Sequence, residues 1–147
     1  MVLITSSTEI ARSPEQAKEL MNFKRIPEWT QGFIKSITPQ TPTSTQPKEG
    51  DVLTVVLEGA TFSPIVLENS PNTFIWRGSL WGLFVGDHAF RFKPSALTPG
   101  GTTFVHEEEF SGPLAFLMSG MLAFGKGPEK GFEGFNLDFK REVEGRG

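Results

Sequence analysis

Hydrophobic and polar positions alternate with a period of two in a series of short segments, and take a helical period in the last third of the chain. Residues 2–10 alternate and are rich in β-branched side chains, which predicts a strand. Ser13 follows as a helix cap, with Pro14 at the first helical position and Gln16 three residues after the cap. The helix so started carries Ala17, Leu20 and Met21 on one face and is expected to end near Asn22. Pro27 and Trp29 mark a short turn or second helical piece before a strand over residues 33–38. Three prolines and several Ser and Thr residues make 39–50 a solvated, flexible loop, too short to divide two domains.

From residue 51 onward the pattern is strand after strand. Residues 51–58, 63–69, 73–81, 83–93 and 102–110 read as strands, broken most clearly at Glu58-Gly59-Ala60, Ser70-Pro71-Asn72 and Pro99-Gly100-Gly101. Connections this short imply antiparallel neighbours. Leu114, Phe116, Leu117, Met121 and Leu122 then begin a helical pattern, interrupted at Gly125-Lys126-Gly127-Pro128. Those glycines and the proline read either as a hinge near a cavity entrance or as a helix end and a new start. Beyond them Phe132, Phe135, Phe139 and Val143 recur at helical spacing. The order is strand, helix, helix, a run of strands, then helix, with no internal repeat. It is the order of a single α+β domain spanning residues 1–147.

Composition narrows the function classes. With 21% charged and 37% hydrophobic residues the chain is that of an ordinary globular protein, and no apolar run approaches the ~20 residues of a membrane span. The N-terminus lacks a basic segment followed by an apolar one, so no secretory signal is read and a cytoplasmic location is expected. Without cysteine there is no disulfide scaffold, thiolate nucleophile or Cys-based metal site. The net charge of -3, with basic residues scattered, argues against nucleic acid as a partner. Fourteen Phe and three Trp without a single Tyr supply apolar area lacking a hydroxyl, which suits a large core or an apolar pocket.

The stretch Phe74-Ile75-Trp76-Arg77-Gly78 and the later Gly82-Leu83-Phe84-Val85-Gly86-Asp87-His88-Ala89-Phe90 resemble the polyketide cyclase/dehydrase and lipid-transport group of the START/Bet v 1-like (SRPBCC) superfamily. Thr102-Thr103-Phe104 and Glu108-Glu109-Phe110-Ser111-Gly112 are similar to that group's last strand running into its final helix. Phe132, Asn136 and Lys140 stand where its C-terminal helix carries similar residues, and Ser13-Pro14-Glu15 and Pro27-Glu28-Trp29 also fit. The resemblance covers nearly the whole chain. It implies a helix-grip fold, a curved antiparallel sheet wrapped around a long C-terminal helix with an apolar cavity between them. It does not fix the reaction, because carriers, receptors, cyclases and chaperone activators share the fold.

Strand parity picks out the candidate chemistry. In 102–110 one face carries Phe104, His106, Glu108 and Phe110, the other Thr103, Val105, Glu107 and Glu109. A sheet covered on one side turns its apolar face inward, which places His106 and Glu108 inside although Val105 blurs the division. In the preceding strand His88, Phe90 and Phe92 share a face, opposite Asp87, Ala89 and Arg91. Trp76 shares parity with Phe74 and faces in, leaving Arg77 at the surface.

Ionisable groups in a dry core are costly unless paired or hydrated. His88, His106 and Glu108 therefore form either an acid–base set in a pocket or a buried pair that only stabilises the sheet. The first reading suits cyclisation or dehydration, in which a proton leaves a carbon beside a carbonyl. Expected ligand contacts are Trp76, Phe90, Phe92, Phe104, Phe110, Phe132 and Phe135, with Trp29 and Trp81 either at a cavity mouth or simply packed.

Sharper motifs fail. Gly120 to Gly127 lacks the hydroxyl residue of a phosphate loop, no G-x-S-x-G elbow is present, and no ligand spacing supports a metal. The expected partner is a hydrophobic small molecule, with no metal or cofactor. A homodimer is left open, as is the choice between an enzyme, a non-catalytic lipid or small-molecule carrier, and a partner-binding module.

Overall fold

The first alternating segment folds as β1 (Val2–Ile10) in a computed structural model that describes residues 2–40, 46–80, 82–113, 115 and 129–145. The helical pattern expected from Leu114 to Leu122, the break at Gly125 to Pro128, and Trp81 lie outside the described residues, as do residues 41–45 of the expected loop. None of the described helices is long and apolar enough to cross a membrane.

The start of α1 (Pro14–Leu20) follows the capping-box reading. The Gln16 amide donates to Ser13 Oγ and the Ser13 amide donates to Gln16 Oε1, each at 3.2 Å. A 3-10 turn (Phe23–Arg25) and the short α2 (Ile26–Trp29) occupy the segment read as a turn or second helical piece. The remaining strands are β2 (Ile34–Pro39), β3 (Leu53–Leu57), β4 (Ala60–Phe62), β5 (Ile65–Ser70), β6 (Thr73–Leu80), β7 (Phe84–Pro94) and β8 (Thr102–Ser111). The chain closes with α3 (Glu129–Gly145).

Five strands pair antiparallel in the order β1-β8-β7-β6-β5, and a second sheet runs β2-β3-β4. The single curved sheet read from the sequence is thus two ladders. They are joined at a corner by a Val52–Ile65 bridge and by the Leu53 amide to the Pro64 carbonyl at 2.9 Å. The strand expected over 51–58 also continues into a hairpin. Gly59 adopts φ 86°, the left-handed conformation that a tight turn needs, and the chain returns as β4 rather than breaking off.

One face of α3 buries Phe132, Phe135, Phe139 and Val143 against the sheets, each at 1% exposure or less. They meet Phe90, Phe92 and Phe104 from the inner face of β7 and β8, with Phe104 and Phe139 centroids 4.8 Å apart. A second row on the same helix, Asn136, Lys140 and Glu144, recurs every four residues and meets β1. Asn136 Nδ2 reaches the Ser6 carbonyl at 3.4 Å, Lys140 Nζ donates to the Glu9 carbonyl at 2.5 Å, and Glu144 accepts from the Ala11 amide at 2.8 Å. An edge strand with open backbone groups invites pairing with another chain; here helix side chains occupy some of those groups. The sheet therefore grips α3 through an apolar row and a polar row at once.

Candidate functional site

Register places the polar island of the interior. Across the inner face one row runs Ile4–Glu108–His88–Trp76–Val66, and the next runs Ser6–His106–Phe90–Phe74. Both histidines and Glu108 lie on the face that parity assigned them. His88 is 4% exposed and His106 fully buried, whereas the Glu108 side chain keeps 18% of its surface. Trp76 faces in. Arg77 faces out, forked onto Asp87 at 2.7 and 2.8 Å. On that outer face Glu107 pairs with Arg91 at 2.6 Å, and Ala89, although it faces outward, is small enough to be buried.

The three groups form one hydrogen-bonded chain that ends on a fourth. Glu108 Oε1 lies 3.2 Å from His88 Nδ1, His88 Nε2 lies 2.5 Å from His106 Nε2, and His106 Nδ1 lies 3.0 Å from Asn136 Oδ1. Proton positions follow from the far end. Asn136 Nδ2 meets the Ser6 carbonyl, which can only accept, so Oδ1 is the atom turned to His106 and His106 Nδ1 carries the hydrogen. Burial, and after it the neighbouring His88, push the His106 pKa well below 6.5, against an opposing pull from Asn136 and the Phe132 backbone.

A neutral His106 protonated at Nδ1 offers a lone pair at Nε2, so His88 Nε2 must donate to it. What is left is a single proton between His88 Nδ1 and Glu108 Oε1.

Aromatic rings fix these imidazoles in place. His106 stacks on Phe132 with centroids 4.1 Å apart, and His88 stacks on Trp76 at 4.7 Å. Phe90 tilts against both, at 5.0 and 4.7 Å. All seven residues expected to contact a ligand are buried. Trp76, Phe90, Phe132 and Phe135 border the imidazoles and Phe110 lies beside Glu108 at Gly86, while Phe90, Phe92, Phe104 and Phe135 also pack on one another at 5.3–6.5 Å. Trp29 is half-buried against Phe135 and Phe139 at 5.4 and 5.6 Å.

Glu108 has room because of a glycine. A side chain at Gly86 would collide with Glu108 Oε2 and lie 3.4 Å from Phe110. Gly86 pairs with Gly78 on β6, where a Cβ would meet the Phe62 ring at 3.4 Å. The space that side chains would take at these facing glycines is used by neighbours instead, by Glu108 Oε2 over Gly86 and by the Phe62 ring over Gly78. Among the described residues that oxygen has no hydrogen-bond partner. Every ring nitrogen of His88 and His106, by contrast, already has one.

Asn136, Gly86 and Gly78 were not singled out as site residues from the sequence. Asn136 had a legible signal, a polar side chain on the apolar stripe of α3. Gly86 shares inward parity with His88, and a glycine there signals close approach by a neighbour.

No family model matches this chain, and none of the curated proteins does. Solved structures with the same fold include the ZhuI aromatase/cyclase from Streptomyces sp. R1128, at 10% identity and a TM-score of 0.71 over 99% of this chain and 94% of that one. A START superfamily protein from Mycobacterium smegmatis is 19% identical with a TM-score of 0.60, over 98% and 95%. Ara h 8.0201 is 12% identical with a TM-score of 0.57, over 99% and 96%. At such identities the likeness establishes the helix-grip fold, as the resemblance implied, and not an activity.

Proposed function

We propose that this chain binds a hydrophobic carbonyl compound between sheet and C-terminal helix, and that Glu108 moves a proton at the carbon beside the carbonyl. The observation that carries this reading is the Glu108 carboxylate itself. One oxygen is tied to a buried chain of imidazoles, and the other, lying over Gly86, has no bond among the described residues. A carboxylate held this way can take the proton from the α-carbon through Oε2, leaving the electron pair on the carbonyl as an enolate. In a dehydration the enolate expels a β-hydroxyl, which leaves as water with the proton Glu108 has just received. In a cyclisation the enolate attacks a second carbonyl carbon and that oxygen takes the proton. Either sequence returns the carboxylate to its starting state.

His88 is then the group that balances charge on Glu108. His106, with both nitrogens engaged inside the protein, acts by orienting His88 rather than by touching the ligand. Trp76, Phe110 and Phe132 supply the apolar walls nearest the carboxylate. That one structural neighbour is an aromatase/cyclase supports this class of reaction without naming the substrate.

A second reading, a non-catalytic lipid or small-molecule carrier, has one observation in its favour: so few polar atoms of the island are free. The two readings separate in a single experiment. 2-Acetylnaphthalene, a hydrophobic methyl ketone, is incubated with the protein in heavy water, and loss of its methyl proton signal is followed by NMR. The enzyme reading expects exchange faster than in buffer, abolished by Glu108→Gln while binding survives. Exchange at the buffer rate with the ketone bound would leave the carrier reading in its place.

A further inference from the structure

Trp29 carries a buried polar atom that its surroundings leave unpaired among the described residues. The protein interior is built largely from Phe, and the chain has no Tyr, so almost no aromatic side chain needs an acceptor. Yet the Trp29 indole Nε1 is buried and has no hydrogen-bond partner among the described residues. The residue as a whole is only half-buried. A half-buried Trp ordinarily turns its N–H to water and its hydrocarbon inward. Here the orientation is reversed: the polar tip is the part hidden from solvent.

Two acceptors that tie this segment down are already committed. The Ile26 carbonyl, one turn back, accepts from both the Thr30 amide and the Thr30 hydroxyl at 3.0 Å. Asp138, which ties the end of this segment to α3, accepts from the Gln31 amide at 2.8 Å with one oxygen and from Arg141 with the other. Phe135 and Phe139 flank the indole and offer no lone pair. An unpaired buried donor is unfavourable, and each such group in a folded protein requires an explanation.

We infer that Trp29 Nε1–H is a ligand-recognition group, which donates to an oxygen of the bound hydrophobic molecule. The ligand class is therefore an apolar body bearing a carbonyl, hydroxyl or ether oxygen, rather than a pure hydrocarbon. This rests on the interior being a binding site, as proposed above, but not on Glu108 doing chemistry. Phe135 connects the two regions, with its ring 5.4 Å from Trp29 and 5.2 Å from His106.

The test uses two matched probes, 2-acetylnaphthalene and 2-ethylnaphthalene, which differ by the carbonyl oxygen. Calorimetry on the full chain is expected to favour the ketone roughly three- to tenfold, the worth of one neutral hydrogen bond. Trp29→Phe is expected to erase that preference while still binding both probes. Independently of any variant, the Trp29 indole N–H resonance of the wild-type protein is expected to move downfield with the ketone and not with the hydrocarbon.

Equal affinity for both probes, no affinity for either, or an indole resonance that stays put would overturn the inference. The last includes the case of a resident water already bonded to the indole. Loss of ketone exchange in Glu108→Gln with the Trp29 preference intact would leave this inference standing, and the reverse result would leave only the acid–base reading.

Discussion

Lowering the pH should destabilise this fold through one identifiable residue. His106 is fully buried and its folded pKa lies well below 6.5, because burial and then His88 oppose its charging. In the unfolded chain the same imidazole titrates near its ordinary value. Below about pH 6.5 the unfolded state therefore binds a proton that the folded state refuses. Stability rises with pH wherever the unfolded state holds more protons, so this contribution is complete above the unfolded pKa and declines as the pH falls.

Each pH unit well below the unfolded pKa costs on the order of 1 kcal/mol, so between about pH 7.5 and about pH 5.5 His106 contributes a loss of that order. Against a total of about 5–15 kcal/mol that is readily measured. Glu9 and Glu144, whose pKa values are lowered by hydrogen bonds from Ser95 and Thr103 and from the Ala11 amide, act in the same direction. Their unfolded value is 4.5, so their share is lost at lower pH and does not blur the window. Urea titrations at the two pH values, on the wild type and on His106→Gln, isolate the effect. The variant should start less stable and lose less across the interval, by on the order of 1 kcal/mol. An unchanged pH slope in the variant would mean that His106 is not the buried neutral imidazole described here.

Gly86→Ala should push the Glu108 carboxylate out of the space over Gly86 and cost about 1–3 kcal/mol, the usual range for overpacking, with loss of ketone exchange checked by NMR. Phe90→Ala removes a ring that touches Phe74, Trp76, Phe104 and Phe135, and should cost about 3–5 kcal/mol in urea unfolding. Lys140→Met leaves the Glu9 carbonyl without its helix-side donor; a cost of about 1 kcal/mol and faster amide exchange along β1 are expected by hydrogen–deuterium mass spectrometry. Arg77→Ala breaks an ion pair whose arginine side chain is half exposed, so thermal unfolding should register less than about 1 kcal/mol.

Much of the site was legible because a strand has a period of two. Once His106 shared a face with Phe104 and Phe110, and His88 with Phe90 and Phe92, no packing detail was needed to send all of them inward. The capping box at Ser13 was legible for a similar reason, being a local bond pattern between residues three apart. The division into two ladders was not, since it depends on where Val52 meets Ile65 across the corner, a contact that neither segment encodes alone. β4 escaped because three residues after a turn are too few to show alternation. The polarity of the imidazole chain also lay beyond the sequence. It is set by Asn136, thirty residues from His106, and by which of its amide atoms the Ser6 carbonyl leaves facing the ring.

The central claim is that this chain is polarised, with His106 locked as the Nδ1–H tautomer and one proton left between His88 and Glu108. Long-range nitrogen–proton correlation NMR on protein labelled with nitrogen-15 in histidine reads each ring nitrogen directly. His106 is expected to show a protonated Nδ1 and an unprotonated Nε2 near neutral pH and down through the window in which an exposed histidine titrates, while His88 shows a proton on Nε2. A His106 ring protonated at Nε2, or doubly protonated at neutral pH, would contradict it.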